Sequence, residues 1–362
     1  MIRVGIDGRA LQGNRTGIGR YVYELCRRLD KEFTETIFFI YTNRHLDLPC
    51  VNNRWILRCD TSLWGRILRP VLWTKLRAGF LCKKDNLNFF WGPTTFLPKL
   101  SDNVKTVVTV HDINYRIVPQ TMKFTHLWAH RLFFKADLLR ANARIANSPG
   151  TAQKIIEYFS TSVTAIIRPS VDKRFVPKTQ TEIKEVLVAL RIHKPYLLAL
   201  GTIEPRKNLP VVLESFLRLK RRGDLEGYVL VMVGAHGWKD KKIIAMAERE
   251  PSIIRLGFVC DEYLPYLYGG TEIFVYPSLY EGYGMPVLEA LKCGTKVVTT
   301  NIPEIREIGG DNRVVYVEPN IESVMTGIMK MKNCKLGETP ELPSQTWTDG
   351  GETMAKVFAS LS

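Results

Sequence analysis

No two of the seven cysteines, at 26, 50, 59, 82, 260, 293 and 334, are spaced Cys-x-x-Cys, and their number is odd. That pattern fits neither a disulfide framework nor a zinc site, so scattered, reduced and mostly buried thiols are expected. No stretch approaches the ~18 consecutive apolar residues that span a bilayer. The N-terminus, Met1-Ile2-Arg3-Val4-Gly5-Ile6-Asp7, has no apolar signal-peptide core and reads as a buried strand. A cytoplasmic protein is expected, or one peripheral on the inner face of a membrane. Acidic residues are sparse in one half only. Residues 1–175 hold 28 Lys and Arg against 13 Asp and Glu, while 176–362 hold 23 of each. The whole net charge of +15 therefore lies in the first half, which suggests that this half meets something anionic. There is no short-period repeat and no low-complexity tract.

What is present is enough apolar residue, 45% of 362, to bury the cores of two ordinary domains and to exclude a disordered chain. Short apolar segments alternate with helix-length amphipathic ones, which predicts α/β domains with doubly wound parallel sheets. In the first half, strands are expected at 2–7, 37–41, 88–91 and 106–110, and helices at 19–30, 62–81, 125–141 and 150–159. In the second, strands are expected at 196–201, 228–233, 253–256, 273–276, 296–299 and 314–317. Helices at 209–221, 240–249, 262–268, 286–292 and 321–331 would separate them. Pro169, Pro177 and Pro195 flank a polar stretch that reads as a linker. The domains are accordingly set at 1–172 and 173–345, with 346–362 as a terminal helix. Ligands of such sheets bind beyond the carboxyl ends of the strands.

Four strand-end loops carry residues suited to chemistry. The first contains Thr16-Gly17-Ile18-Gly19-Arg20, where Gly17 and Gly19 let backbone approach a phosphate at a helix N-terminus. A plain flexible turn is an equal alternative. His111 follows the strand ending Thr109-Val110; it suits a hydrogen bond to a substrate hydroxyl or help with proton movement, and a purely structural histidine is the plainer option. Arg206 and Lys207 precede a helix with Asn208 as its expected N-cap, an arrangement suited to a diphosphate. An exposed charge pair is the alternative there. Lastly, Glu281-Gly282-Tyr283-Gly284-Met285-Pro286-Val287-Leu288-Glu289 places two carboxylates at one strand end. Pro286 suits the first helical turn and Gly294 the stop. The amides at 283–285 suit an anion or a polar sugar edge. Either glutamate alone reads as a cap or a dipole partner.

Taken together, Glu281-x7-Glu289 with its intervening Gly-Tyr-Gly-Met-Pro, and Glu-Pro-Arg-Lys-Asn at 204–208, resemble the retaining glycosyltransferases of family four. Asp7-Gly8-Arg9, Thr16 to Tyr21 and Val110-His111-Asp112 resemble that family's first-domain loops. The resemblance runs from about residue 2 to 331 and is nearest to bacterial mannosyltransferases of O-antigen and lipopolysaccharide biosynthesis. It implies a GT-B fold, two Rossmann-like domains facing across a cleft. It also implies a metal-independent transfer that keeps the anomeric configuration, with a nucleotide-diphosphate sugar, GDP-mannose favoured, as co-substrate. On that resemblance Glu289 binds ribose hydroxyls and Glu281 those of the donor sugar. Gly282, Tyr283, Gly284 and Met285 line the sugar and diphosphate, and Arg206 and Lys207 hold the diphosphate with help from Gly17 and Gly19. His111 meets the donor sugar near the reacting carbon, and Val259 lies by the base. No metal-binding Asp-x-Asp is required, and Asp240 has no such partner. Trp91 departs from the pattern, standing where many relatives have histidine. Trp347 to Leu361 would supply a helix crossing back to the first domain, with Gly350-Gly351 near its start.

Residues 54–84 hold eight Lys and Arg against one acid, Asp60, with Trp55, Trp64 and Trp73 interleaved. Leu63, Trp64, Ile67, Leu68, Val71, Leu72 and Leu76 follow helical spacing. The favoured expectation is a domain helix with its apolar face on the sheet and solvated cations outside, the cations helping to dock lipid-linked glycan acceptors. A helix lying on anionic headgroups is the alternative. Two other functions stay open: a basic nucleic-acid-binding protein, which leaves the Glu281/Glu289 pair without purpose, and an inert sugar binder. Nucleic acid is not the expected partner.

Overall fold

The computed structural model describes residues 1–13, 17–238, 241–310, 312–335 and 342–362. Thr16 and Asp240 lie outside them. The chain divides into two compact units, Met1–Tyr115, Phe124–Ser170 and Gln345–Ser362 in one, Arg116–Lys123 and Val171–Ser344 in the other.

The first unit holds seven parallel strands: β1 (Ile2–Asp7), β2 (Thr36–Thr42), β3 (Trp55–Cys59), β4 (Phe89–Gly92), β5 (Lys105–Val110), β6 (Ala143–Ala146) and β7 (Ala165–Ile166), in the order β3-β2-β1-β4-β5-β6-β7. The second holds six: β8 (Tyr196–Leu200), β9 (Val229–Val233), β10 (Ile253–Gly257), β11 (Ile273–Tyr276), β12 (Val297–Thr300) and β13 (Val314–Val317), in the order β10-β9-β8-β11-β12-β13. Both are the doubly wound parallel sheets that the alternating pattern predicts. Strands such as Val229–Val233 are buried along their length because helices cover both faces. Leu197 and Ala199 pack on one side of the second sheet with helix Leu209–Arg221, and Tyr196 and Leu198 on the other with Tyr268, Val287 and Leu291. In each sheet the order reverses once, between β1 and β4 and between β8 and β11. There the loops leave in opposite directions and open a crevice at the carboxyl ends.

Several local expectations need correction. The expected linker holds a helix, Gln180–Ala189, started by a capping box between Thr179 and Glu182. Three strands, β3, β6 and the two-residue β7, were not expected. Of the seven cysteines, all free, three are buried, two half-buried and two exposed, so burial is less general than expected. The expected helix over 62–81 is broken. Helix Leu63–Ile67 ends, Leu68 and Arg69 are extended, and helix restarts at Pro70, passing through a wide turn at Thr74–Ala78. A residue before proline is driven out of the helical region, and proline has no N–H to continue the ladder. The apolar face is not laid on the sheet either: Leu63, Trp64, Ile67, Leu72, Leu76 and Phe80 are exposed. Trp73 turns inward, fully buried, its indole N–H 2.8 Å from Asp60.

The terminal helix Trp347–Ala359 packs within the first unit, on helix Gly17–Glu32. Gly350 and Gly351 do not weaken its start, because a capping box between Thr346 and Asp349 secures it. They mark close helix approach: a Cβ on Gly351 would lie 2.4 Å from that of Arg28.

Candidate functional site

The reversal between β8 and β11 brings two loops together in the second unit. The loop after β8 carries Glu204, Arg206 and Lys207; the loop after β11 carries Glu281 and leads into helix Met285–Lys292. A backbone bond from the Leu279 N–H to the Arg206 carbonyl, 2.9 Å, ties them. Arg206 donates to Glu204 at 2.7 Å and to the Tyr280 carbonyl at 2.9 Å, and pairs with Glu281 at 2.8 Å. Lys207 pairs with the same Glu281 oxygen at 2.7 Å and also donates to the Tyr276 hydroxyl. Tyr276 donates in turn to that Glu281 oxygen, 2.9 Å. Gly201 makes room for this: its φ of 139° suits only glycine, and a Cβ there would press on the Lys207 stem.

Glu204 and Glu281 are buried, and Arg206 and Lys207 largely so. Burial opposes ionisation of Glu281, but Arg206 and Lys207 outweigh it and hold the carboxyl down at about 2. Burial likewise lowers the pKa of Lys207, and Arg206 adds to this, with Glu281 pulling the other way. Two cations and two carboxylates thus form a neutral, tightly bonded set at a strand-end crevice. Glu204 and Tyr276 were given no role from sequence. Glu204 sat in the quoted motif, whereas a tyrosine ending a buried strand counts in periodicity simply as an apolar residue.

Glu289 is held apart from this set. It is buried in helix Met285–Lys292, and its carboxylate accepts from the Tyr268 hydroxyl at 3.1 Å. Burial and the Glu289 charge both raise the Tyr268 pKa, which keeps the phenol protonated as the donor. Pro286 lies in the first turn as expected, and Gly294 closes the helix with φ 84°. Gly284, at φ 98°, turns the chain into that helix, where Met285 begins. Gly282 lies in the same loop, and the Tyr283 ring is buried in the core. Val259 is buried just beyond β10, beside an exposed Phe258. Asn208 does not cap as expected. It takes a left-handed conformation, and its side chain donates instead to the Pro319 carbonyl, 3.0 Å.

In the first unit, Gly17 and Gly19 open helix Gly17–Glu32. Arg9 grips Asp7 with two nitrogens and reaches Thr94 at 3.2 Å, joining the loops after β1 and β4. His111 follows β5 with Nε2 at 2.9 Å from the Pro93 carbonyl. A carbonyl only accepts, so Nε2 carries the proton and Nδ1 is left as an acceptor. Enclosure lowers the ring's pKa to about 4, against a weaker upward pull from Asp112. At neutral pH, His111 is an uncharged ring whose Nδ1 is suited to accept a hydrogen bond rather than to donate one. Trp91 is a core residue, fully buried, with its N–H on Thr109 at 2.9 Å. Among the described residues no three His, Cys, Asp or Glu side chains gather as a metal-binding group.

Comparison with known proteins shows the family and the fold. Residues 15–175 match the family described as Glycosyltransferase Family 4, and residues 182–346 match Glycosyl transferases group 1. The chain is 29% identical to O-antigen chain mannosyltransferase B of Escherichia coli over 87% of its length and 86% of the relative's. It is 25% identical to O-antigen chain mannosyltransferase RfbU of Salmonella typhimurium, over 75% and 73%. Its fold matches WaaG, a glycosyltransferase of lipopolysaccharide biosynthesis, with TM-score 0.70 over 100% of this chain and 96% of that one, at 16% identity. The sucrose-phosphate synthase of Thermosynechococcus elongatus gives 0.71 over the same shares, at 14% identity.

Proposed function

Since the chain belongs to the glycosyltransferases that join a family 4 domain to a group 1 domain and have the GT-B fold, we propose that it transfers mannose from GDP-mannose to a lipid-linked glycan. Transfer keeps the anomeric configuration, needs no metal and serves cell-surface polysaccharide assembly on the cytoplasmic face of the inner membrane. The observation that carries this reading is the Arg206–Lys207–Glu281 set at the β8/β11 reversal. Its cations are fixed in place by carboxylates, so no reorganisation is needed when a diphosphate arrives. As the bond to the anomeric carbon breaks, negative charge builds on the leaving phosphate, and two fixed cations stabilise it most at that moment. That is the service a divalent ion otherwise gives, so a metal is not called for.

Glu281, ionised and held by three donors, has its remaining lone pairs for the hydroxyls of the donor sugar. Glu289, held by Tyr268, takes the ribose hydroxyls, and the backbone of Gly282 to Met285 lines the sugar and diphosphate. Val259 lies by the base. In the first unit, His111 offers Nδ1 to a sugar hydroxyl, and Gly17 and Gly19 leave room for a phosphate. The two O-antigen mannosyltransferase relatives favour mannose as the sugar. The test offers purified protein GDP-mannose and other GDP- and UDP-sugars and measures binding and slow hydrolysis for wild type, Glu281→Ala and Lys207→Ala. GDP-mannose binds wild type, and both variants bind it at least tenfold more weakly. No binding of any nucleotide sugar, with tight and salt-steep binding of nucleic acid instead, sinks the reading.

A further inference from the structure

Trp238 has no part in the donor set, yet it joins two distant stretches of chain. The chain leaves the first unit after Tyr115, runs through the second as Arg116–Lys123, and belongs to the first again from Phe124. This excursion begins a few positions after His111. Helix Asn114–Ile117 spans the point of departure, and the Asn114 N–H is tied back to Asp112 at 3.1 Å. In the second unit the excursion tightens into the turn Pro119–Thr121, where Thr121 is buried. Trp238 closes on it there. Its indole N–H donates to the Thr121 carbonyl at 2.8 Å, and the Lys123 ammonium lies 5.2 Å from the centre of its ring.

Trp238 stands on the loop after β9, and that loop is stitched to the loop after β8, which carries Arg206 and Lys207. The Gly201 N–H donates to the Val233 carbonyl at 2.9 Å and the Ile203 N–H to the Ala235 carbonyl at 3.1 Å, with Ile203 and His236 paired beyond them. A Cβ on Gly234 would strike the Gly201 carbonyl and one on Gly237 the Ile203 carbonyl, so the two loops lie as close as backbone allows. Contacts therefore run without interruption from the loop of Arg206 and Lys207, through Trp238, to the stretch of chain that follows His111.

We propose that Trp238 is a positioning residue for His111. By clasping 116–123 to the donor loops, it fixes the stretch that starts at His111 to the same backbone that fixes the two cations. This rests on the reading that His111 meets the donor sugar while Arg206 and Lys207 hold its diphosphate. Those groups must act on one bond at one moment, and a misplacement of about 1 Å in such an arrangement can cost about 100-fold in rate.

The test compares the turnover of GDP-mannose by wild type, Trp238→Phe, Trp238→Ala, His111→Ala and Trp238→Ala/His111→Ala, together with hydrogen exchange of each protein without donor. Trp238→Ala lowers kcat by about tenfold or more and changes KM for donor by less than about twofold. Trp238→Phe keeps a ring beside Lys123 but loses the N–H, and falls between it and wild type. In the His111→Ala background, Trp238→Ala costs less than about twofold more, because the residue through which it acts is gone. The amides of 116–123 exchange faster in Trp238→Ala, while those of β8 and β9 exchange as in wild type. If Trp238→Ala does not fold, the same cycle is run with Trp238→Phe. The inference is overturned if kcat is kept, if the two losses multiply in the double variant, or if exchange of 116–123 is unchanged. A rise in KM with kcat kept overturns it too, since Trp238 would then belong to the donor site itself. Wild type that turns over no nucleotide sugar overturns the proposed function and this inference together; turnover with multiplied losses overturns the inference alone.

Discussion

At the residue scale, Glu281 is a single carboxylate answering two cations and one phenol. Removing one member of such a buried set leaves its partner charged and unmatched, which costs more than the pair is worth. Glu281→Gln should therefore lower both stability and transfer, with a loss of about 100-fold in kcat/KM, or about 2.7 kcal/mol of transition-state stabilisation. Steady-state kinetics with a saturating acceptor check it. The two tyrosines should separate kinetically. Tyr276→Phe loosens Lys207 and Glu281 where charge develops, so kcat should fall. Tyr268→Phe loosens Glu289, which the proposed function sets at the remote ribose, so KM for donor should rise with kcat nearly kept. His111 sets a pH dependence. Its pKa is about 4 in the fold against an ordinary 6.5, so the unfolded chain binds more protons between those values, and stability falls as pH drops through them. Glu281, held at about 2 against an ordinary 4.5, loses its contribution only below 4.5. Melting between pH 6.5 and 4.5 should thus drop less steeply in His111→Asn. Some slope remains, because burial also depresses His130. The cations and both glutamates were legible in the sequence as a motif. Their tyrosines were not, because which hydroxyl meets which carboxylate is decided by strands and helices far apart in the chain.

At the element scale, alternation of apolar and amphipathic segments was enough to foresee ten of the thirteen strands that the sheets contain, in place if not to the residue. What it missed had competing local signals. Prolines around 169–195 obscured the Thr179–Glu182 capping box. Helical spacing over 62–81 outweighed Pro70, although proline's missing N–H and its effect on Arg69 decided the outcome. Gly350 and Gly351 left the start of the terminal helix undecided in the sequence, yet they are the contact surface against Arg28 and Leu25. Gly351→Val should consequently destabilise by about 1–3 kcal/mol through overpacking, despite valine's better backbone entropy. Urea unfolding measures it, and a neutral or stabilising change would mean that the two helices do not meet this closely.

At the scale of the whole molecule, the even charge of the second half and the +15 of the first have visible counterparts in the fold. In the second unit Arg206 and Lys207 are balanced by Glu204 and Glu281, whereas the first exposes Arg66, Arg69, Lys83 and Lys84 beside apolar side chains. The central claim concerns the second unit, that Arg206, Lys207 and Glu281 hold and discharge a sugar nucleotide. Its most direct measurement is the release of GDP from GDP-mannose by purified wild type, Lys207→Ala and Arg206→Ala in the presence of a lipid-linked glycan. Wild type should release GDP in step with glycan extension in buffer containing a metal chelator, and each variant should slow by about 100-fold or more, as expected for loss of a fixed charge facing a leaving group. Release that continues undiminished in both variants would contradict the account.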